Sequence, residues 1–177
     1  MKVLNLYYSL TGNTEKIARS IEQALIAEGH HVDMVKIGTD TDIEILPYDL
    51  VFAGSGVYEW LPGQAMVDLF TKLRRDYAKK GDIVPASPKR PGKNAVIYCS
   101  YGGTHTGVNE AIPAIKYMAQ LFDHLGYTIL DEWYVVGAYP EKMEAASTEG
   151  RLGDIRGRPN ELDLHEVKEK VKGILRV

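Results

Sequence analysis

The chain has 177 residues, 45% of them hydrophobic and 25% charged, and a formal net charge of −3. This is enough chain for one well-buried domain, 1–177, and its balance is that of an ordinary soluble globular protein. The charge gives no electrostatic reason to expect nucleic acid or an anionic membrane, and no apolar run is long enough to span a bilayer. The single cysteine, Cys99, excludes an internal disulfide and suits a reducing compartment. Lys2 leads straight into a strand pattern, so no signal peptide is expected and the expected location is cytoplasmic.

Residues 3–8 form the first apolar run. An amphipathic pattern follows, with Ile17, Ala18, Ile21, Ala24 and Leu25 on one face. It predicts a helix over about 14–28, stopped by Gly29. Residues 31–37 alternate and read as an edge strand, and 50–55 are a short buried run. Pro62 is expected to start a helix whose apolar face is Met66, Leu69, Phe70, Leu73 and Tyr77. Residues 81–94 carry three prolines among Lys and Arg and read as an exposed connection. A third buried run covers 95–99, with Cys99 at its end as a core residue. Val108, Ala111, Ile112, Ile115, Met118, Ala119 and Phe122 mark the next helix, in which Pro113 is tolerated only near the start. Residues 127–136 form a long strand. Leu164, Val167, Val171, Ile174 and Leu175 mark a C-terminal helix. Strands alternating with helices imply a parallel sheet covered on both faces, a doubly wound three-layer α/β/α sandwich with five strands. Ligands in such sheets sit beyond the carboxyl ends of the strands, at the switch in strand order.

Three segments fall at that edge. The first is Ser9-Leu10-Thr11-Gly12-Asn13-Thr14, a hydroxyl-rich turn between strand and helix. Such a turn aims unpaired N–H groups and the positive end of a helix dipole at one spot, which suits a phosphate. An ordinary N-cap uses the same residue types. Neither a Walker loop nor a dinucleotide fingerprint is present. The second segment, 54–63, contains Ser55, Gly56, Val57, Tyr58, Glu59 and Trp60. The third, 100–107, contains Ser100, Tyr101, Gly102, Gly103 and His105. Glycines beside large aromatics suit a planar heteroaromatic ligand. His105 has two readings, a hydrogen-bond donor to a ligand and a cap for the following helix. The five histidines show no ligand spacing, so no metal site is expected. The third strand run ends Ala53-Gly54-Ser55, without the aspartate that a receiver domain requires.

In order and spacing, the three segments resemble those of the flavodoxin family along nearly the whole chain. The resemblance implies the strand order 2-1-3-4-5 and flavin mononucleotide (FMN) as cofactor. Ser9, Thr11, Asn13 and Thr14 are then expected to hold the phosphate, with Gly12 giving close approach and Leu10 in the same loop. Ser55 through Trp60 would approach the flavin ring edge, with Tyr58 and Trp60 lining the ring. From the third loop, Tyr101 would line or stack on the ring with Ser100 beside it, and Gly102 and Gly103 would let the loop approach the pyrimidine edge. His105 would either donate a hydrogen bond to the flavin or a bound substrate or cap the following helix. The implied function is electron transfer through the flavin, with redox proteins as partners. The alternative within the superfamily is an NAD(P)H:quinone reductase, which is oligomeric, so a homo-oligomer goes with that reading. A second alternative is a non-catalytic FMN scaffold or sensor. The segment 137–160 departs from the family pattern, because compact carriers connect the last strand and helix briefly. Arg151, Arg156 and Arg158 there suit an anionic partner, or a solvated loop leading into the helix.

Overall fold

A computed structural model describes residues 1–176. Strand β1 (Val3–Tyr8) is followed by α1 (Asn13–Ala27), β2 (Val32–Lys36), β3 (Leu50–Tyr58) and β4 (Leu61–Pro62). Then come α2 (Gln64–Lys80), β5 (Asn94–Tyr101), α3 (Ile112–His124), β6 (Thr128–Val136), α4 (Glu144–Thr148) and α5 (Glu161–Ile174). The main sheet is parallel, in the order β2-β1-β3-β5-β6, and β4 pairs with β3 alone. With the two-residue β4 set aside, this is the expected 2-1-3-4-5 arrangement, so the switch in strand order lies between β1 and β3.

The central strands are apolar on both faces because both faces are covered. Along β5, Ala95, Ile97, Cys99 and Tyr101 face the layer of α2 and α3, packing with Met66, Leu69, Phe70, Ile115 and Phe122. Val96 and Tyr98 face the other layer, with Ile17, Ile21 and Leu25 of α1 and Val167 and Val171 of α5. One polar residue lies at the centre of the sheet. Asn5 is fully buried, donates to the Ala18 carbonyl at 2.9 Å and accepts from the Tyr98 hydroxyl at 2.8 Å. Both interactions satisfy groups that would be costly to bury alone. Gly54 makes room for that tyrosine, since a Cβ there would come within 2.1 Å of the Tyr98 ring.

Several boundaries differ from the sequence reading. The run expected over 50–55 continues to Tyr58, because Val57 and Tyr58 pair with β4. The helix expected from Pro62 begins at Gln64, because Pro62 pairs with Val57 in a hairpin. The helix expected from Val108 is divided: Gly107–Glu110 form a tight 3-10 turn, and α3 starts at Ile112 with Pro113 in its first turn. There the missing proline N–H breaks no intrahelical bond. The third buried run extends at both ends, to Asn94 and Tyr101, because β6 pairs with it along that whole length. Residues 137–160 are not a structureless loop. They contain a 3-10 turn at Glu141–Met143 and α4, and Ile155 is buried.

Candidate functional site

The first loop leaves β1 at Tyr8 and turns into α1 through Gly12, whose φ of 89° lies in the left-handed region. An added Cβ there would meet nothing within 4 Å. The glycine is therefore required by backbone conformation rather than by crowding. Ser9 Oγ accepts from the Glu15 N–H at 3.3 Å, and Lys16 N–H bonds to the Gly12 carbonyl at 2.9 Å. Among the described residues, no acceptor meets the N–H groups of Thr11, Gly12, Asn13 or Thr14. A dipole-assisted set of unpaired donors at a helix start is a built anion cradle. The carboxylate closest in sequence, Glu15, is neutralised by Lys36 at 2.7 Å and Arg19 at 2.8 Å. These bonds hold the Glu15 carboxyl below its usual range.

The second loop is a tight β-hairpin. Val57 pairs with Pro62 and Tyr58 with Leu61, leaving Glu59 and Trp60 as its two-residue turn. Both have positive φ, 47° and 68°. Hairpins prefer this turn because it matches the strand twist, but Asn and Gly are its usual residues. Trp60 stands at the tip, 62% exposed. Ser55 faces inward: its hydroxyl accepts from Gly63 N–H at 2.9 Å and donates to the Gly56 carbonyl at 2.8 Å, which fixes the hairpin base. Tyr58 folds back over Gly56, where a Cβ would come within 2.9 Å of its hydroxyl oxygen. It meets Tyr8 edge-on at 6.0 Å, and its hydroxyl lies beside the Leu10 backbone of the first loop. Burial raises its hydroxyl above the usual tyrosine range.

The third loop begins with Ser100, whose hydroxyl meets Thr14 Oγ1 at 2.8 Å. Tyr101 is the last residue of β5 and points into the α2–α3 core, only 9% exposed. Burial raises its hydroxyl too. Gly103 has φ 57° and lies tight against the Gly107 backbone. Glu110 accepts from the His105 and Thr106 N–H groups, both at 2.6 Å, and so closes the loop. The His105 side chain is left at the surface. The sequence reading passed over Glu110 and Thr104. Thr104 Oγ1 is the one buried side-chain oxygen among the described residues that has no hydrogen-bond partner.

A family model described as "Flavodoxin domain" matches residues 4–84. An uncharacterized protein of Methanocaldococcus jannaschii is 31% identical over 182 residues, across 99% of each chain. The chain belongs to the flavodoxin family. Solved flavodoxins share its fold over its whole length. That of Streptococcus pneumoniae gives a TM-score of 0.68 at 18% identity, with 99% of each chain covered. Flavodoxin 2 of Bacillus cereus gives the same values in its oxidised form. A Fusobacterium nucleatum flavodoxin bound to FMN gives 0.64 at 13% identity, with 99% and 97% covered.

This flavodoxin brings the three expected segments together at the carboxyl edge of β1, β3 and β5. Ser9 and Thr14 are buried there, Leu10, Thr11, Glu59, Trp60 and His105 are exposed, and Gly12, Asn13, Val57, Tyr58 and Gly102 lie between. The segment after β6 joins them. Asn13 Nδ2 donates to the Ala138 carbonyl at 2.7 Å, and Arg151 N–H donates to the Thr104 carbonyl at 2.8 Å. Of its arginines, Arg156 pairs with Asp154 at 2.7 Å and with Glu144 at 3.1 Å, and Arg158 is bonded to Asp163. Arg156 ties the segment to itself, Arg158 ties its end to the first turn of α5, and of the three only the exposed Arg151 has no ion pair among the described residues. Among the described residues no cluster of His, Cys, Asp and Glu suits a metal, and no helix is long and apolar enough to cross a membrane.

Proposed function

We propose that this flavodoxin binds FMN at the three-loop edge and works as an electron carrier between redox proteins. The observation that carries the reading is the first loop: left-handed Gly12, four unpaired N–H groups and the hydroxyls of Ser9, Thr11 and Thr14 at one helix start. These residues fit a phosphate monoester without any lysine or arginine in the loop, through N–H and O–H donors and the dipole. Asn13 turns its amide to Ala138 and so fixes the loop's shape. FMN supplies one- and two-electron chemistry; the protein supplies binding, orientation and tuning. In this reading Trp60 covers one face of the ring, and backbone groups of 56–60 set the hydrogen bonds at its edge. The Fusobacterium relative is described as bound to FMN, which supports the same ligand here.

Exposed apolar side chains on the surrounding loops support a protein partner over a small-molecule donor. Leu10 is 68% exposed, and Trp60, Leu61, Val108 and Met143 are exposed as well. In this reading these side chains would give a redox protein apolar surface to dock on beside the flavin. The test is the visible spectrum of the purified protein with FMN, followed by anaerobic NADH or NADPH. Bound flavin that neither nicotinamide reduces is the expected result. Rapid bleaching would instead mean an NAD(P)H:quinone reductase, and absence of any flavin binding would overturn the reading.

A further inference from the structure

We propose that Tyr139, on the segment after β6, is the aromatic side chain that this protein sets against the flavin on the third-loop side, with residues 137–160 forming a fourth wall of the site. The inference rests on the FMN reading above. It starts from the direction of Tyr101. That residue shares a strand face with Ile97 and Cys99, and its ring is packed into the α2–α3 core. A side chain so placed is not presented over the end of the sheet, so the third loop needs another source for an aromatic surface.

Tyr139 supplies one. Its half-buried ring lies directly on Gly102, where an added Cβ would come within 2.0 Å of the ring edge. Glycine at 102 is thus the seat of this ring. The backbone leading into and at this residue is held by three different parts of the chain. Gly137 N–H donates to the Tyr101 carbonyl and Ala138 N–H to the Arg158 carbonyl, both at 2.9 Å. Tyr139 N–H donates to Ser147 Oγ at 2.9 Å, and Ser147 is buried. The Ala138 carbonyl receives the Asn13 amide of the first loop. So one residue touches the phosphate loop and the next covers the third loop. A rigidly held aromatic at that junction suits a planar ring with little ordering cost on binding. Farther along, Gly150 and Arg151 close over Thr104, whose hydroxyl still lacks a partner. A buried hydroxyl without a partner is normally explained by a water or a ligand group.

The test compares wild type, Tyr139→Leu, Tyr139→Phe and Tyr101→Phe in FMN titrations followed by flavin fluorescence. Wild type should bind and quench the fluorescence. Tyr139→Leu should lose most of the quenching and about tenfold in affinity, the size of one lost aromatic stack. Tyr139→Phe and Tyr101→Phe should keep both. Hydrogen exchange of the unmodified chain gives a readout that does not depend on variants folding: FMN should protect amides of 137–160 together with those of 9–14. Wild-type binding with an unaltered Tyr139→Leu titration, or protection confined to the other loops, would overturn the fourth wall alone. No FMN binding by wild type would overturn the reading beneath it.

Discussion

The hydroxyls of Thr14 and Ser100 meet at 2.8 Å, out of solvent, joining the first turn of α1 to the end of β5. They are 86 residues apart in sequence. This bond sets the spacing between a loop read as a phosphate cradle and a loop read as a ring cradle. Either single change, Thr14→Val or Ser100→Ala, leaves a buried hydroxyl unpaired and should destabilise the fold by about 1–3 kcal/mol. The double variant should be less destabilised than the two losses added together, because it leaves no orphan. Urea denaturation of the four proteins measures the coupling. Strictly additive losses would show that the bond is weak or replaced by water.

The Glu59–Trp60 turn places two residues with side chains at positive φ. A left-handed residue with a Cβ costs roughly 1–2 kcal/mol relative to a relaxed one. Replacing the pair by the residues that such turns prefer, Glu59→Asn with Trp60→Gly, should stabilise the FMN-free protein by about 1 kcal/mol, or about 2–4 °C in Tm. The same change should weaken flavin binding, because it removes the exposed indole. Opposite signs in a thermal melt and an FMN titration would identify strain retained for a site. A loss of both, or of neither, would make Trp60 an ordinary loop residue.

That turn also shows where the sequence was readable and where it was not. The strand–helix alternation and the first loop were legible because both follow from local signals: apolar runs of strand length, helical periodicity, and hydroxyl residues with one glycine at a helix start. The order of the strands came only with the family resemblance. The hairpin was not, because Glu-Trp lacks the Asn-Gly signature of its turn, and Pro62 read as the start of a helix. Tyr101 reads as a loop residue in the sequence only because the apolar run ends at Cys99. Two more residues of pairing with β6 turn its ring into the core. The 137–160 segment was hardest to read, because Gly102 under Tyr139 and Thr104 under Gly150 are long-range matches that leave no periodic trace.

The acid behaviour of that segment follows from Asp154 and Arg156. The guanidinium bonds push the Asp154 carboxyl down to about 2, below its ordinary 3.8. A carboxyl depressed on folding contributes stability above its ordinary value and loses it as pH falls toward the folded one. Local order in 137–160 should therefore weaken between about pH 4 and pH 2. Both groups are exposed, so the effect should be small and screened by salt. In Arg156→Gln, NMR titration should show Asp154 moving back toward 3.8. An unmoved carboxyl would mean that the backbone N–H of residue 156, not the guanidinium, sets its value.

Cys99 offers a test of the core. It lies in β5, between β3 and β6, wholly buried, and burial pushes its thiol well above the usual range. The thiolate is the reactive form, so the native protein should be inert to a thiol-specific reagent at neutral pH. Its neighbours Ile97 and Tyr101 belong to the same cluster, so no loop movement can expose it without opening the sheet. Labelling should then track global unfolding: slow in buffer, rising with urea along the same free-energy slope as circular dichroism. Because FMN would sit at the loop edge and not in that core, it should slow labelling only through its stabilisation of the folded state, by an amount that grows with the logarithm of free ligand. Fast labelling without urea would place Cys99 in a locally opening element, and the strand extension that turns Tyr101 inward would fail with it.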